Sequence, residues 1–202
     1  GGKTYNFKAM GEDIFYTKDK ENNFINFSGC GNTLNCNHKV VKDMIIQSLL
    51  YWYLEVGVDG FRFDLAPVLG RDSNSQWARY SLLHELVEHP ILSHAKLIAE
   101  SWDLGGYFVG AMPSGWCEWN GAYRDTVRQF VRGDFGQVPE LIKRIFGSVD
   151  IFHANKNGYQ SSINFICCHD GFTMWDLVSY NLKHNLLNGE NNQDGENNNH
   201  FY

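Results

Sequence analysis

The sequence predicts an α/β fold, a mainly parallel sheet covered by helices, on three observations. Short apolar segments alternate along the chain with segments whose apolar residues recur at helical spacing. Three of the apolar segments end in a carboxylate. No Gly-x-Gly-x-x-Gly turn follows a predicted strand, which disfavours a dinucleotide-binding fold. The alternation fits an open doubly wound sheet or a closed eightfold barrel, and the missing turn favours the barrel.

The predicted elements follow one another in order after a first stretch of 36 residues, which we expect to form loops around at most one short element. Helices are predicted over residues 38–56, 74–89, 124–133, 138–149 and 173–187. Strands are predicted over residues 58–66, 96–103 and 162–171. Residues 104–121, rich in Gly and Trp, are expected to form a loop, and the Asn-rich residues 188–199 an exposed polar loop.

Composition limits the classes of function. The chain has 202 residues, of which 43% are hydrophobic and 20% charged, as expected for one globular domain or part of one. A net charge of −6 and scattered basic residues argue against nucleic-acid binding. No segment resembles a membrane helix or a secretory leader, and the five cysteines suit a reducing compartment, so we expect a cytoplasmic protein. Cys30 and Cys36 lack the spacing of a zinc site.

Arg62 and Asp64 lie at alternate positions of the first predicted strand, "VDGFRFDLA". Alternate side chains share one face of a strand, so these two charges are predicted to be neighbours. Taken alone, the pair is more typical of a structural ion pair than of a catalytic site.

Carboxylates also end the other two predicted strands, as Glu100 and Asp170. The intervals of 36 and 70 residues match about one and two β/α units, so all three carboxylates are predicted to meet at the C-terminal rim of a barrel. Such a site suits metal-assisted hydrolysis or glycosidic bond cleavage. Because the histidines lack metal-ligand spacing, we favour glycosidic cleavage, with Asp64 as nucleophile and Glu100 as acid.

Three motifs, "GFRFDLA", "LIAESWD" and "INFICCHDG", resemble those of the alpha-amylase superfamily, and the connecting segments resemble its isoamylase and glycogen-debranching branch. The resemblance implies a partial (β/α)8 TIM barrel of roughly strands four to seven. Residues 1–202 would be the central part of a catalytic barrel whose flanking strands and accessory β domains are absent. The implied roles are Asp64 as nucleophile, Arg62 as its ionic partner, Glu100 as acid/base, and Asp170 with His169 as the group that holds a distorted sugar.

Further candidates lie in the loops that follow the predicted acid strand. Trp102 and Trp119 could stack on glucose rings or anchor the packing. Asp103 and Asn120 could line sugar subsites, although the segment around Asn120 would also serve as a turn into a helix cap. No cofactor and no metal site are expected.

The resemblance implies a retaining glycoside hydrolase that cleaves α-1,6 branch points of glycogen or related glucans. Two alternatives stay open: another activity of the superfamily, such as α-1,4 hydrolysis or glucan transfer, and a noncatalytic glucan-binding fragment. A partial barrel leaves open sheet edges, so we expect either self-association or loops drawn across these edges, together with poor activity of the chain alone.

Overall fold

A computed structural model describes residues 7–155 and 158–201, and it confirms the α/β class. The first six residues of the predicted loop region lie outside this range. The chain divides into two compact units, the first formed by residues up to Glu118 and the second by most of the remainder. Among the described residues, no helix combines the length and apolar character that a membrane span needs.

The first unit is built on parallel strands. Strand β1 (Gly60–Phe63) pairs in parallel with β2 (Lys96–Ala99), and β2 pairs in parallel with β5 (Trp116–Trp119). After β2 a small antiparallel hairpin is formed by β3 (Trp102–Asp103) and β4 (Gly106–Tyr107). The parallel sheet agrees with the predicted topology, but β5 lies where the sequence predicted only loop.

Helices of the first unit begin with α1 (Lys8–Phe15) and α2 (Lys39–Leu50). Helix α2 continues as a π-helical turn (Tyr51–Val56) and ends at Gly57, whose φ of 82° is readily adopted by glycine. The predicted helix over residues 38–56 is therefore confirmed. Helix α3 (Leu82–Glu88) precedes β2, and two short 3₁₀ helices flank it, Ala66–Gly70 and Leu92–His94.

The predicted helix over residues 74–89 is wrong in its first half. Helix α3 begins only at Leu82, after a capping box at Ser81. Upstream, the Asp72 carboxylate accepts hydrogen bonds from the amides of Asn74 and Gln76, at 2.8 and 2.9 Å. This side chain stabilises a turn, which replaces the helical hydrogen bonds of the same segment.

The core of the first unit lies between α3 and the sheet. Leu83 and Leu86 of α3 are completely buried, as are Ala99 and Trp116 of the strands. The Trp116 indole nitrogen donates to the Leu83 carbonyl at 3.0 Å, which satisfies its one polar group. Side chains alternate along a strand, so Glu100 and Ala99 belong to opposite faces.

The second unit contains mainly helices. They are α4 (Gly121–Arg132), α5 (Val138–Ile145), α6 (Val149–Phe152) and α7 (Met174–Ser179), with 3₁₀ turns at Gly158–Ser161 and Leu186–Asn188. Strand β6 (Ser162–Ile163) accepts a backbone hydrogen bond from Asn120. The predicted strand over residues 162–171 and helix over residues 173–187 are therefore present but much shorter than expected.

The Asn-rich segment of residues 188–199 is not simply a solvated loop. Asn199 is 3% exposed, and its side-chain oxygen accepts a hydrogen bond from the Phe172 amide at 2.8 Å. The Asn188 side chain donates to the Asp194 carboxylate at 2.7 Å, and Lys183 donates to the Asp194 carbonyl at 2.6 Å. The prediction of an exposed loop is therefore wrong for Asn199. Its side chain, rather than a water molecule, is the hydrogen-bond partner of the Phe172 backbone amide.

Candidate active site

Asp64 and Glu100 follow directly on the C-terminal ends of two paired parallel strands. The register aligns Phe63 of β1 with Ala99 of β2, so the next residue of each strand is a carboxylate. A carboxylate oxygen of Asp64 and one of Glu100 lie within 4.8 Å of each other. The Asp64 side chain is 65% exposed and that of Glu100 only 1%. The pair therefore combines an open carboxylate with a buried one.

Arg62 contacts both carboxylates. One terminal nitrogen of its guanidinium donates to Asp64 Oδ1, and the other lies 2.7 Å from Glu100 Oε1. The sequence spacing predicted only the first contact. A guanidinium fork shared in this way offsets the repulsion between two neighbouring carboxylates and restricts their orientation.

The backbone at Leu65 is strained and carries a further contact to the site. Leu65 has φ 44° and ψ 49°, a left-handed conformation that costs a non-glycine residue about 1–3 kcal/mol. Its amide donates to Glu100 Oε2 at 2.8 Å. The Ala66 amide donates to the Glu100 carbonyl at 3.0 Å. The turn after β1 thus holds both the carboxylate and the backbone of Glu100.

The β3–β4 hairpin places Trp102 and Asp103 in different settings. The Trp102 ring stacks on Tyr107, with centroids 5.9 Å apart and an angle of 6° between the planes. The Asp103 carboxylate is completely buried and accepts from Arg71 at 2.7 and 2.8 Å and from the Gly105 amide at 2.7 Å. Asp103 therefore holds the hairpin, and its carboxylate is not presented to solvent.

In the second unit, His169 and Asp170 lie close together after β6. His169 Nε2 is 3.3 Å from Asp170 Oδ1, and both side chains are about half exposed. The Trp119 ring meets the His169 ring edge to face, with centroids 6.0 Å apart. A cavity of about 440 Å³ in this unit has Asp170 in its wall, together with Tyr180, Lys183 and His184. A cavity of this size and polarity suits a small polar ligand.

Asn120 forms hydrogen bonds that stabilise the second unit. It is completely buried, and its side-chain oxygen caps α4 by accepting from the Tyr123 amide at 2.9 Å. Its amide nitrogen donates to the hydroxyls of Ser148 and Ser162, both at 2.9 Å. The turn and helix cap that the sequence offered as an alternative is what the structure shows.

The sequence-predicted site residues thus divide into two groups. The structure brings Arg62, Asp64 and Glu100 together in the first unit, and Trp119, His169 and Asp170 in the second. The expected approach of Asp170 to the other two carboxylates spans the two units and stays a prediction. Sequence reasoning missed Leu65 and Arg71, because an amide donor and a distant ion-pair partner leave no local pattern.

Comparison with known proteins gives close relatives but no matching family model. Isoamylase 3, chloroplastic, of Oryza sativa subsp. japonica is 47% identical over 199 residues, which cover 96% of this chain and 25% of the relative. The glycogen operon protein GlgX homolog of Mycobacterium tuberculosis is 48% identical over 200 residues, covering 96% of this chain and 28% of that protein. The chain therefore spans about a quarter of the length of the curated relatives it matches.

Solved structures agree with these relatives. A pullulanase from an Anoxybacillus species, crystallised with maltotriose, matches with a TM-score of 0.64 and 29% identity, covering 80% of this chain and 24% of that one. Fold and relatives together assign the chain to the alpha-amylase superfamily of glycoside hydrolases. Within that superfamily the chain belongs to the isoamylase and glycogen-debranching family, with relatives 41–48% identical over most of its length. The resemblance predicted from the three strand motifs is confirmed.

Proposed function

We propose that the protein containing this chain is a retaining glycoside hydrolase that cleaves α-1,6 branch points of glycogen or related glucans. The observation that carries the proposal is the approach of Asp64 and Glu100, with oxygens within 4.8 Å. Retaining enzymes hold their two carboxyl groups about 5–5.5 Å apart, whereas inverting enzymes leave room for a water molecule at about 6.5–9.5 Å. The short separation supports a covalent mechanism.

The different exposure of the two carboxylates suggests their roles. Exposed Asp64 attacks the anomeric carbon, while Glu100 gives a proton to the departing sugar oxygen, so that a glycosyl–enzyme ester forms as the glycosidic bond breaks. Glu100 then removes a proton from the water that attacks this ester, which restores Asp64 as a free carboxylate and releases a product of retained configuration. Arg62 keeps the two groups oriented throughout. This acid–base chemistry calls for no metal ion.

The second unit would bind the sugar in this proposal. Asp170 and His169 hold the ring in its distorted form, and Trp119 offers a flat apolar face on which a glucose ring stacks. Trp102 of the first unit offers a second such face. Asp103 and Asn120 act indirectly, as parts of the scaffold, because their polar atoms already bind protein groups. Residues 1–202 would be the central part of a (β/α)8 barrel, roughly strands four to seven. The expected cytoplasmic location stays a prediction, since the rice relative is named chloroplastic.

The experiment that tests this function is product analysis of the full-length gene product on three glucans. We expect it to shorten pullulan and debranch glycogen while leaving linear amylose intact. Reducing ends from amylose would indicate α-1,4 hydrolysis, and longer chains would indicate glucan transfer. Glucan binding without any release of reducing ends would show a noncatalytic protein and contradict the proposal.

A further inference from the structure

A buried carboxylate in β5 has no part in the chemistry proposed above. The Glu118 side chain is completely buried. Burial raises the pKa of this carboxyl, although the hydrogen bond from the Gly110 amide acts in the opposite direction. A buried carboxyl group costs free energy unless it is hydrogen-bonded, so its partners indicate what it does.

The hydrogen-bond partner of Glu118 belongs to the loop of residues 104–115. The Gly110 amide of this loop donates to Glu118 Oε2 at 2.8 Å. Ser101, the residue after Glu100, is completely buried, and its carbonyl accepts from the Phe108 amide of the same loop at 2.7 Å. Glu118 therefore holds the loop that in turn holds the backbone of Ser101.

Glu100 is fixed on its other side by the turn after β1. Its amide donates to the Phe63 carbonyl at 3.0 Å, and its carboxylate is held by Leu65 and Arg62 as described. The register of β2 and β5 aligns Ala99 with Glu118. Because side chains alternate along a strand, Glu118 and Ser101 support the end of β2 from the face opposite to the Glu100 carboxylate.

We propose that Glu118 is a positioning residue that fixes Glu100 through Ser101 and the loop of residues 104–115. The inference rests on the acid role of Glu100 in the proposed function. Proton donation needs the acid within hydrogen-bond reach of the leaving oxygen, and a displacement of about 1 Å can cost roughly a hundredfold in rate. Glu118 itself touches no substrate.

The test compares two substrates in the full-length Glu118→Gln variant. Glutamine keeps the shape of the side chain but replaces one carboxylate oxygen by an amide group and removes the negative charge, which weakens the hydrogen bond from the Gly110 amide. A branched glucan needs a proton on its leaving oxygen, whereas an α-maltooligosaccharide fluoride releases fluoride without one. Both substrates share the second step, so the comparison uses kcat/KM, which reports formation of the ester. We expect kcat/KM to fall about tenfold or more on the glucan and to stay within about twofold of wild type on the fluoride.

Glu85→Gln is the matched control. Glu85 lies in α3 of the same unit and pairs with Lys42, so this variant loses a half-buried carboxylate far in sequence from the acid strand. It should leave the ratio of the two activities unchanged. Glu118→Asp shortens the side chain and draws its carboxylate away from the Gly110 amide, and it should produce a smaller loss of the same selective kind. It decides the question if Glu118→Gln does not fold.

Equal losses of kcat/KM on both substrates would show a general structural role and overturn the inference. Glu100→Gln separates this failure from that of the proposed function. If Glu100→Gln lowers kcat/KM equally on both substrates, Glu100 is not the acid and the proposed roles fail. If it lowers kcat/KM selectively on the glucan while the Glu118 variants do not, only the positioning role of Glu118 is lost.

Discussion

Arg62 shares one guanidinium between two carboxylates, and a lysine in its place would reach only one of them. A lysine ammonium is a point charge on a flexible stem and lacks the planar fork that spans Asp64 and Glu100. We expect Arg62→Lys to lower kcat of the full-length gene product by about a hundredfold, because both reacting groups lose their alignment. Steady-state kinetics on glycogen would measure this.

The exposed Arg79 provides the control for that substitution. Arg79→Lys makes the same replacement of a guanidinium by an ammonium group, and it should leave kcat within about twofold of the wild-type value. If Arg62→Lys also retains full activity, a single positive charge is enough, and the importance of the shared fork is refuted.

The two carboxylates should also differ when a small nucleophile is added. In Asp64→Ala, azide can take the place of the missing carboxylate and attack the anomeric carbon directly, which gives a glycosyl azide of inverted configuration. In Glu100→Gln the covalent ester still forms, so azide gives the retained product. Proton NMR of the anomeric signal distinguishes the two products. The same retained azide from both variants would reverse our assignment of Asp64.

At the scale of elements, Asn120 fastens the start of α4 to two serine hydroxyls. Asn120→Ala removes the helix cap, at a cost of about 1 kcal/mol. It also leaves the buried Ser148 hydroxyl and the partly buried Ser162 hydroxyl without their donor, at roughly 1 kcal/mol or more each. We expect the free energy of unfolding in urea to fall by about 2–4 kcal/mol. Asn120→Asp keeps the acceptor that caps the helix and should lose less. Unchanged stability with a raised KM for glucan would instead support the sugar contact first expected for Asn120.

Prediction from the sequence succeeded for elements whose structure depends mainly on their own residues. Helix α2 and strands β1 and β2 follow from apolar periodicity alone, and so does the pairing of Arg62 with Asp64. Strand β5 escaped prediction because "WCEW" places a buried glutamate where an apolar residue is expected, directly after Gly115. The contact between Arg62 and Glu100 depends on the register of two strands, which no local pattern specifies. The contact between Asp103 and Arg71 was missed for the same reason, since the two residues lie 32 positions apart in the sequence.

At the scale of the whole molecule, both units expose large apolar side chains. Trp52 and Leu54 are 48% and 56% exposed in the first unit, and Phe135 and Phe146 are 103% and 74% exposed in the second. Within the described residues of the first unit, β1 has a parallel partner on one side only. Uncovered apolar surface and open strand edges favour association. We expect the isolated 202-residue chain to self-associate, with a mass that rises with concentration in light scattering.

The same chain should turn over little or no branched glucan, because its relatives are about four times as long and strands that complete a barrel also position the substrate. The comparison is an assay of the isolated chain beside the full-length gene product on one glycogen preparation. A monomeric chain with comparable turnover would contradict both expectations.

The left-handed backbone of Leu65 has a consequence for any laboratory evolution of this protein. A selection for heat resistance alone would favour glycine at this position, because glycine adopts a positive φ without the strain that leucine bears. The same replacement would widen the range of directions open to the amide that now points at Glu100. Variants enriched by such a selection should therefore have a higher melting temperature and a lower turnover than the parent. Restoring leucine in them should reverse both changes.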